Sequence, residues 1–329
     1  MAETKQNEMT VQSRKISVVT PTLHRPTEVL ELLSNLSEQI LLPFEVILVD
    51  GALPGETETE TVVKSVLQTV PFEIQYVRHG GGTAVQRNVG IDLAAGDLIA
   101  LIDDDVRLDK DFLSKMAEVF RVDERKKIGG IVGYRTNQHL CAENSERWRW
   151  YKRLNLLTVY EPGRYDYKSG YPINNNLQPP FEGVREVDFM TTACAVWRRE
   201  VFDSGLRFDP FFHDYGILED AHFSLKAKRV WTLLQHGEAR CKELHSPNGR
   251  ETSRKIGYKC VVNYYFVFQD IMAPLSLRQK LRFWRFQAFE FLRIGASALR
   301  RRNWSNVQEI LGRIQGTFAV LLGAANNKS

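Results

Sequence analysis

The sequence predicts an α/β protein with a mainly parallel sheet flanked by helices, followed by a C-terminal amphipathic helical extension. Three observations carry that expectation. Four short apolar runs recur in the first third, Ile16–Thr20, Phe44–Asp50, Phe72–Val77 and Asp97–Asp103, starting 28, 28 and 25 residues apart. Between the first two, Val29, Leu32, Leu33, Leu36 and Ile40 mark one face of a helix over 27–40. Near the other end, residues 275–300 and 304–322 repeat apolar side chains at helical spacing beside a row of arginines.

Strands separated each time by a helix are βαβ units. The runs are nearly continuous in apolar residues, as expected when helices cover both faces of a parallel sheet. Ligands of such sheets bind beyond the carboxyl ends of the strands. The polar residues that follow each run are therefore the first to consider: Thr22, Asp50, His79 and the trio Asp103, Asp104 and Asp105. Over 141–183 the pattern breaks into an aromatic, Pro- and Asn-rich stretch with Trp148, Trp150, Tyr151, Tyr165 and Tyr171. This reads as long loops and short helices near a site, with rings that either stack on sugar faces or simply pack. A strand over 187–197, a helix over 218–230, a strand over 231–234 and a closing segment over 240–250 complete the core. The expected organisation is a polar tail (1–14), a catalytic domain (15–270, with a nucleotide-binding part to 120 and an acceptor-side part after it) and a helical extension (271–329).

Composition narrows the class. At 43% hydrophobic and 26% charged the chain reads as an ordinary globular protein. The first 14 residues lack the apolar core of a signal peptide, and the run over 318–325 is far short of the ~20 residues that span a bilayer. Cys141, Cys194, Cys241 and Cys260 form no CxxC pair, which points away from zinc and towards free thiols in a reducing, cytoplasmic compartment. From Arg240 onward there are 16 Lys and Arg against 5 Asp and Glu, a net +11, whereas the preceding residues carry −7. A basic third suggests an anionic partner: a nucleotide diphosphate or the anionic inner face of a membrane. No nucleic-acid module is present in the sequence.

The strongest local signal is Leu98-Ile-Ala-Leu-Ile-Asp-Asp-Asp105. Three adjacent carboxylates repel one another, and the arrangement makes sense where a hard divalent cation bridges them to a diphosphate. The competing reading is an acidic turn before the helix starting near Lys110, for which Asp109 can act as cap. Upstream, His79-Gly-Gly-Gly-Thr83 opens a helix with Thr83 as a plausible cap, and Arg87 lies one turn in, within reach of a phosphate or the acidic trio. Glu219-Asp220 heads another helix. Asp220 can act as a general base there, the competing reading being acids stabilised by the helix dipole. His213 and Asp214 precede that pair, either as part of an acceptor loop or in a structural role.

In this order the motifs resemble glycosyltransferase family 2. They are Thr20-Pro-Thr, Val49-Asp-Gly, Gly81-Gly-Thr-x-x-x-Arg-Asn-x-Gly90, the acidic trio, Thr191–Phe202, Leu218-Glu-Asp220 and Leu244-His-Ser-Pro-Asn-Gly-Arg250, together covering about 15–250. The resemblance implies a GT-A fold and an inverting, Mn²⁺- or Mg²⁺-dependent transfer from a nucleotide-diphosphate sugar to an acceptor hydroxyl, including a lipid-linked saccharide in surface polysaccharide synthesis. It further implies that Asp50 bonds the nucleotide base in a pocket shaped by Thr20 and Pro21. Arg87 would orient the donor or the acidic groups, while Asp103 and Asp104 contact donor and metal. Asp105 would be the direct metal ligand, joined by His245, with Arg250 on the diphosphate. Asp220, beside Glu219, would be the base. One departure follows the second strand, where Asp50-Gly-Ala stands in place of the frequent Asp-Asp-Gly-Ser. A nucleotidyltransferase would want a Gly/Lys-rich loop after the first strand, which Thr20–Arg25 does not supply. The non-enzymatic alternative is a sugar-nucleotide-binding module without turnover. The apolar stripes of the extension either lie on a membrane or dock on the catalytic domain or on a second subunit, as in a homo-oligomer.

Overall fold

A computed structural model describes residues 14–138, 146–177, 179–214, 216–244 and 251–323. The first third alternates as expected: β1 (Ile16–Thr22), α1 (Pro26–Ser37), β2 (Glu45–Asp50), α2 (Glu58–Val66), β3 (Glu73–Arg78), α3 (Thr83–Leu93) and β4 (Leu98–Ile102). β1, β2 and β4 are buried along their whole length, which is why they read as apolar runs without alternation. β1 lies between β2 and β4 in parallel register, with β3 outside β2.

Beyond β4 come β5 (Val106–Leu108), α4 (Phe112–Val122), β6 (Ile128–Arg135), α5 (Glu146–Arg153), the short β7 (Tyr165–Asp166) and β8 (Tyr171–Pro172), β9 (Val184–Val187), β10 (Cys194–Arg198), α6 (Arg199–Asp203), α7 (Glu219–Ala227) and β11 (Thr232–Glu243). The main sheet runs β3-β2-β1-β4-β10-β6-β11-β5, with β9 on β11. β10 is antiparallel to both β4 and β6, whereas β11 is parallel to β6. The parallel half thus continues into a mixed half.

Several local expectations change. The strand expected over 187–197 divides into β9 and β10. Between them Asp188 turns the chain aside, its amide on the Gly163 carbonyl and its carboxylate on the Tyr165 amide and the Arg164 guanidinium. The helix expected near Lys110 begins at Phe112. Asp111 occupies the cap position, and Asp109 contributes its backbone carbonyl rather than its side chain. At α3 the cap is Gly82, not Thr83. Gly82 has φ +87, and a Cβ there would overlap the Asp214 backbone, so only glycine lets these two loops meet.

Three long helices end the chain: α8 (Ser253–Met272), α9 (Leu277–Arg301) and α10 (Trp304–Leu321). α8, absent from the sequence reading, lies against α10 at glycine-lined contacts. A Cβ on Gly312 would overlap the Arg254 carbonyl, and one on Gly257 the Glu309 carbonyl. On α9 the buried residues are Phe283, Phe286, Gln287, Glu290, Ile294 and Ala298. The stripe Leu277, Leu281, Trp284, Ala288 and Phe291 lies off that line, with Leu281 61% exposed.

Because the obstruction at Gly312 is backbone, it cannot be relieved by a rotamer change. Gly312→Ala is expected to lower stability by about 1–3 kcal/mol through overpacking. Gly295→Ala, whose new methyl would meet only Ile310 Cδ1 at 3.9 Å, is expected to be neutral or slightly stabilising, since Ala is the better helix former. Urea unfolding midpoints of the two variants check this pair.

Candidate active site

A cleft of about 490 Å³ opens at the carboxyl ends of the parallel strands. Pro21, Thr22 and Arg25 wall it from β1 and the turn that follows, Gly51 from β2, Gly80–Thr83 from β3, and Asp103, Asp104 and Asp105 from β4. Asp214, Glu243, Glu251 and Lys255 close the far side.

The three acidic residues have different surroundings. Asp104 is buried; its Oδ2 accepts from the Thr22 hydroxyl at 2.7 Å and its Oδ1 from Arg25 Nη1 at 2.6 Å. Burial pushes its carboxyl up to about 6, against the opposing pull of Arg25 and Thr22. Asp103 accepts from Arg87 Nη2 at 2.8 Å. Asp105 lies 3.7 Å from Arg25 Nη1, and its carbonyl accepts from the Leu244 amide. Asp104 thus has one hydrogen bond within the protein on each oxygen, and it borders the cleft. Asp105 keeps a carboxylate on the cleft wall.

No group of three His, Cys, Asp or Glu positioned to hold a metal occurs among the described residues. The donor set still suits one kind of occupant. A hard cation can be held by a single carboxylate when substrate phosphates and water complete its shell, and Asp105 at the wall of a cleft this size provides that carboxylate. Leu244 is the last described residue before His245; His245 and Arg250 lie outside the described residues.

Arg87 is buried at the start of α3, with Nη2 on Asp103 and Nη1 on Glu219 Oε1 at 3.1 Å. It joins the end of β4 to the head of α7. Beside Glu219, Asp220 is pushed up to about 7 by burial first and then by the Glu219 charge, with the Ala221 amide, Arg87 and Arg135 pulling the other way. A carboxyl poised there accepts a proton near neutrality. Leu218, which precedes the pair, has φ +71.

Asp50 is fully buried. Its Oδ2 accepts from the Tyr76 hydroxyl at 2.6 Å and its Oδ1 from the Ala52 amide at 2.9 Å. With these bonds Asp50 fixes the turn that carries Gly51 to the cleft. Thr20 is likewise buried, while Pro21 reaches the wall. His79 contacts its neighbour's carbonyl, His213 contacts the Phe211 carbonyl, and Asp214 lends its backbone to Gly82 and Thr83. Trp148 and Tyr151 pack with Phe286 of α9 rather than facing the cleft.

Sequence reasoning missed Arg25, whose signal was a cation three residues past β1, opposite an acid-rich strand end. It also missed His222, buried with Nε2 2.9 Å from Asp270, which binds Lys226 Nζ at 3.0 Å as well. That cluster fixes α7 on α8.

Comparison with known proteins agrees with the geometry. The family described as Glycosyl transferase family 2 matches residues 17–206. An uncharacterized glycosyltransferase of Bacillus subtilis, YwdF, is 35% identical over 246 residues, covering 74% of this chain and 80% of that one. Among solved structures, a mannosyltransferase from Pyrobaculum calidifontis in complex with GDP-Man and Mn²⁺ superposes with a TM-score of 0.57 at 17% identity, covering 94% of this chain and 88% of that one. GalNAc-T7, solved with UDP, GalNAc and Mn²⁺, gives 0.58 at 14% identity over 79% of this chain and 48% of that one. These two likenesses are of fold, and the fold is GT-A. With the matched family spanning the parallel strands and the acidic strand end, this chain belongs to glycosyltransferase family 2.

Proposed function

We propose that this glycosyltransferase moves a hexose, with inversion, from a nucleotide-diphosphate donor to an acceptor hydroxyl, with Asp220 as general base. The observation that carries the reading is the linkage Asp103–Arg87–Glu219, which places Asp220 one residue from a guanidinium anchored at the cleft. We assign 15–120 to the donor and 121–270 to the acceptor side. Asp220 takes the acceptor proton as the anomeric carbon is attacked; one base without a second carboxylate nucleophile gives direct displacement, hence inversion. Arg87 holds Asp103 and Glu219 in place, and Gly80–Gly82 bring backbone close to the donor. Mn²⁺ or Mg²⁺, which would be held by Asp105, supplies Lewis-acid stabilisation of the departing diphosphate. By resemblance we assign His245 to the same cation and Arg250 to the diphosphate.

The helical extension supports an acceptor on an anionic membrane face, such as a lipid-linked saccharide of surface polysaccharide. Among the described residues no helix is long and apolar enough to cross a membrane. The stripes of α9 and α10 meet instead at an open groove of about 310 Å³ lined by Trp284, Ala288, Phe291, Ile314 and Phe318. Phe318 is exposed there, and on the same helix pair Leu281, Arg278, Arg285 and Arg300–Arg302 are exposed as well. Interfacial helices combine such apolar area with cations.

Asp105→Ala is expected to abolish Mn²⁺-dependent donor affinity while leaving the fold intact; calorimetry with and without Mn²⁺ checks it. If affinity still rises with Mn²⁺, Asp105 does not hold the cation.

Asp220→Asn is expected to bind donor normally and to lose at least about 10²-fold in kcat. In the parent enzyme the carboxylate, present above about pH 7, is the active form, so kcat/KM should rise with pH through that value. Glu219→Gln removes the neighbouring negative charge and should move that limb to lower pH. A limb unmoved by both substitutions would place the base elsewhere.

Full-length protein is expected to co-sediment with phosphatidylglycerol vesicles and not with phosphatidylcholine vesicles. The doubly substituted Leu281→Ser, Phe318→Ser chain should lose that binding. Point changes are the better probe than a chain ending at Ala273, because that truncation would strip α8 of α10.

A further inference from the structure

Gln86, at the end of the first turn of α3, lines the cleft although it is only 4% exposed. Its Nε2 donates to the Thr22 carbonyl at 3.0 Å and to the Val49 carbonyl at 2.8 Å, which engages both amide protons. The carboxamide is thereby pinned across the ends of β1 and β2. Its orientation is settled, since turned over it would set an oxygen against two carbonyl oxygens. Oε1 has no partner among the described residues, yet it is not sealed in as a buried orphan. The amide thus shows the cleft an acceptor and no donor.

What such an acceptor meets follows from its place and its neighbours. A nucleotide diphosphate offers it protons of two kinds, on the ribose hydroxyls and on the base. The acidic trio, where a cation and a diphosphate would meet the wall, follows β4, and β1 stands between β4 and β2. At about 5 Å a strand, the amide lies one to two strands from the trio on its β2 side. That is the step from a diphosphate past its ribose to the base. The walls there suit a flat ring, with Pro21 and Leu23 on the β1 side and bare backbone at Gly51. A Cβ at Gly51 would stand 3.2 Å from Gln86 Nε2 and crowd the amide.

We propose that Gln86 reads the ring edge of the nucleobase and restricts the donor to nucleotides whose base carries a ring N–H, as uracil and guanine do. The N3–H of uracil or the N1–H of guanine donates to Oε1. In cytosine and adenine the corresponding ring nitrogen is itself an acceptor, so two lone pairs would face each other. The pinned amide cannot turn to offer Nε2 instead, and the mismatch excludes those bases. A site built around one hydrogen bond rejects a partner that lacks it more strongly than an apolar pocket can. The inference rests on the glycosyltransferase reading above and deepens it by naming the donor class.

The test titrates UDP, GDP, ADP and CDP calorimetrically into the full chain with Mn²⁺. UDP or GDP is expected to bind roughly 10-fold more tightly, or better, than ADP and CDP. The preferred nucleotide should lose that margin when its ring N–H is methylated, as 3-methyl-UDP or 1-methyl-GDP. Gln86→Met keeps the length of the side chain without its amide, and on it both the base preference and the methylation penalty should collapse. A merely structural bridge between Thr22 and Val49 would behave differently, because its loss weakens all the nucleotides alike and leaves their ratios standing. ADP or CDP binding as tightly as UDP and GDP, or a preference and penalty that survive Gln86→Met, overturns the proposal. Should that variant not fold, the methylated nucleotide on the parent protein decides alone, and undiminished affinity for it overturns the proposal. Binding of none of the four would instead count against the donor reading on which this inference rests.

Discussion

The structure turns on one buried cation. Arg87 brings a guanidinium into the interior between two carboxylates, Asp103 from the donor half of the sheet and Glu219 from the helix that carries Asp220. Desolvating three charges is costly, and the arrangement is tolerable only because the charges are paired and hydrogen-bonded to one another. Its consequence is geometric: Glu219 cannot move without exposing Arg87, so Asp220 is held in a fixed relation to the acidic strand end. Its consequence is also electrostatic. Arg87 partly neutralises Glu219, and what remains of that negative charge adds to burial in keeping Asp220 near neutrality.

A second cation does similar work on the other side of the cleft. Arg25 lies against Asp104 and Asp105, so the acidic trio is divided: Asp103 belongs to Arg87, Asp104 to Arg25 and Thr22, and Asp105 faces the cleft. The repulsion that made three consecutive aspartates conspicuous in the sequence is therefore resolved largely by protein groups. All three still border the cleft, where a diphosphate and a cation would meet them.

The parallel half of the fold was legible because its strands are buried on both faces, leaving runs such as Val46–Val49 with no polar interruption. The acidic trio and the Glu219-Asp220 pair were legible because unpaired like charges at element ends are costly without a purpose. What escaped were contacts between distant segments. That Asp50 serves Tyr76 across 26 residues, and Arg25 serves Asp104 across 79, depends on strand order, which no local pattern encodes. The helix α8 escaped for another reason. Its inward face mixes Gly257 and Asn263 with Val261, Phe266 and Val267, because it packs on α10 through glycine and on the 217 loop through an amide. A periodicity search for apolar residues sees only part of that face. β11 was read too short because polar residues alternate into its second half, over which it changes neighbour from β9 to β5.

The charge asymmetry along the chain acquires a structural meaning from the same contacts. Some cations of the basic third are spent internally: Arg313 on Glu309 and Gln287, Arg293 on Glu290, Lys259 on Glu251. Of these contacts, Arg313–Gln287 joins α10 to α9, and the others close within α9, within α10 or at the head of α8; none does anything for a partner at a distance. Among the described residues, exposed cations gather at the head of α8, with Arg254 and Lys255, and along α9, with Arg278, Lys280, Arg285 and Arg300–Arg302, while Lys242 stands apart on β11. The first group borders the cleft through Lys255 and the second accompanies the open apolar groove. A single excess of positive charge in the sequence thus resolves into two surfaces with different chemistry. Both surfaces belong to one helical unit, because α8, which carries the first at its head, is packed against α10, which lines the second.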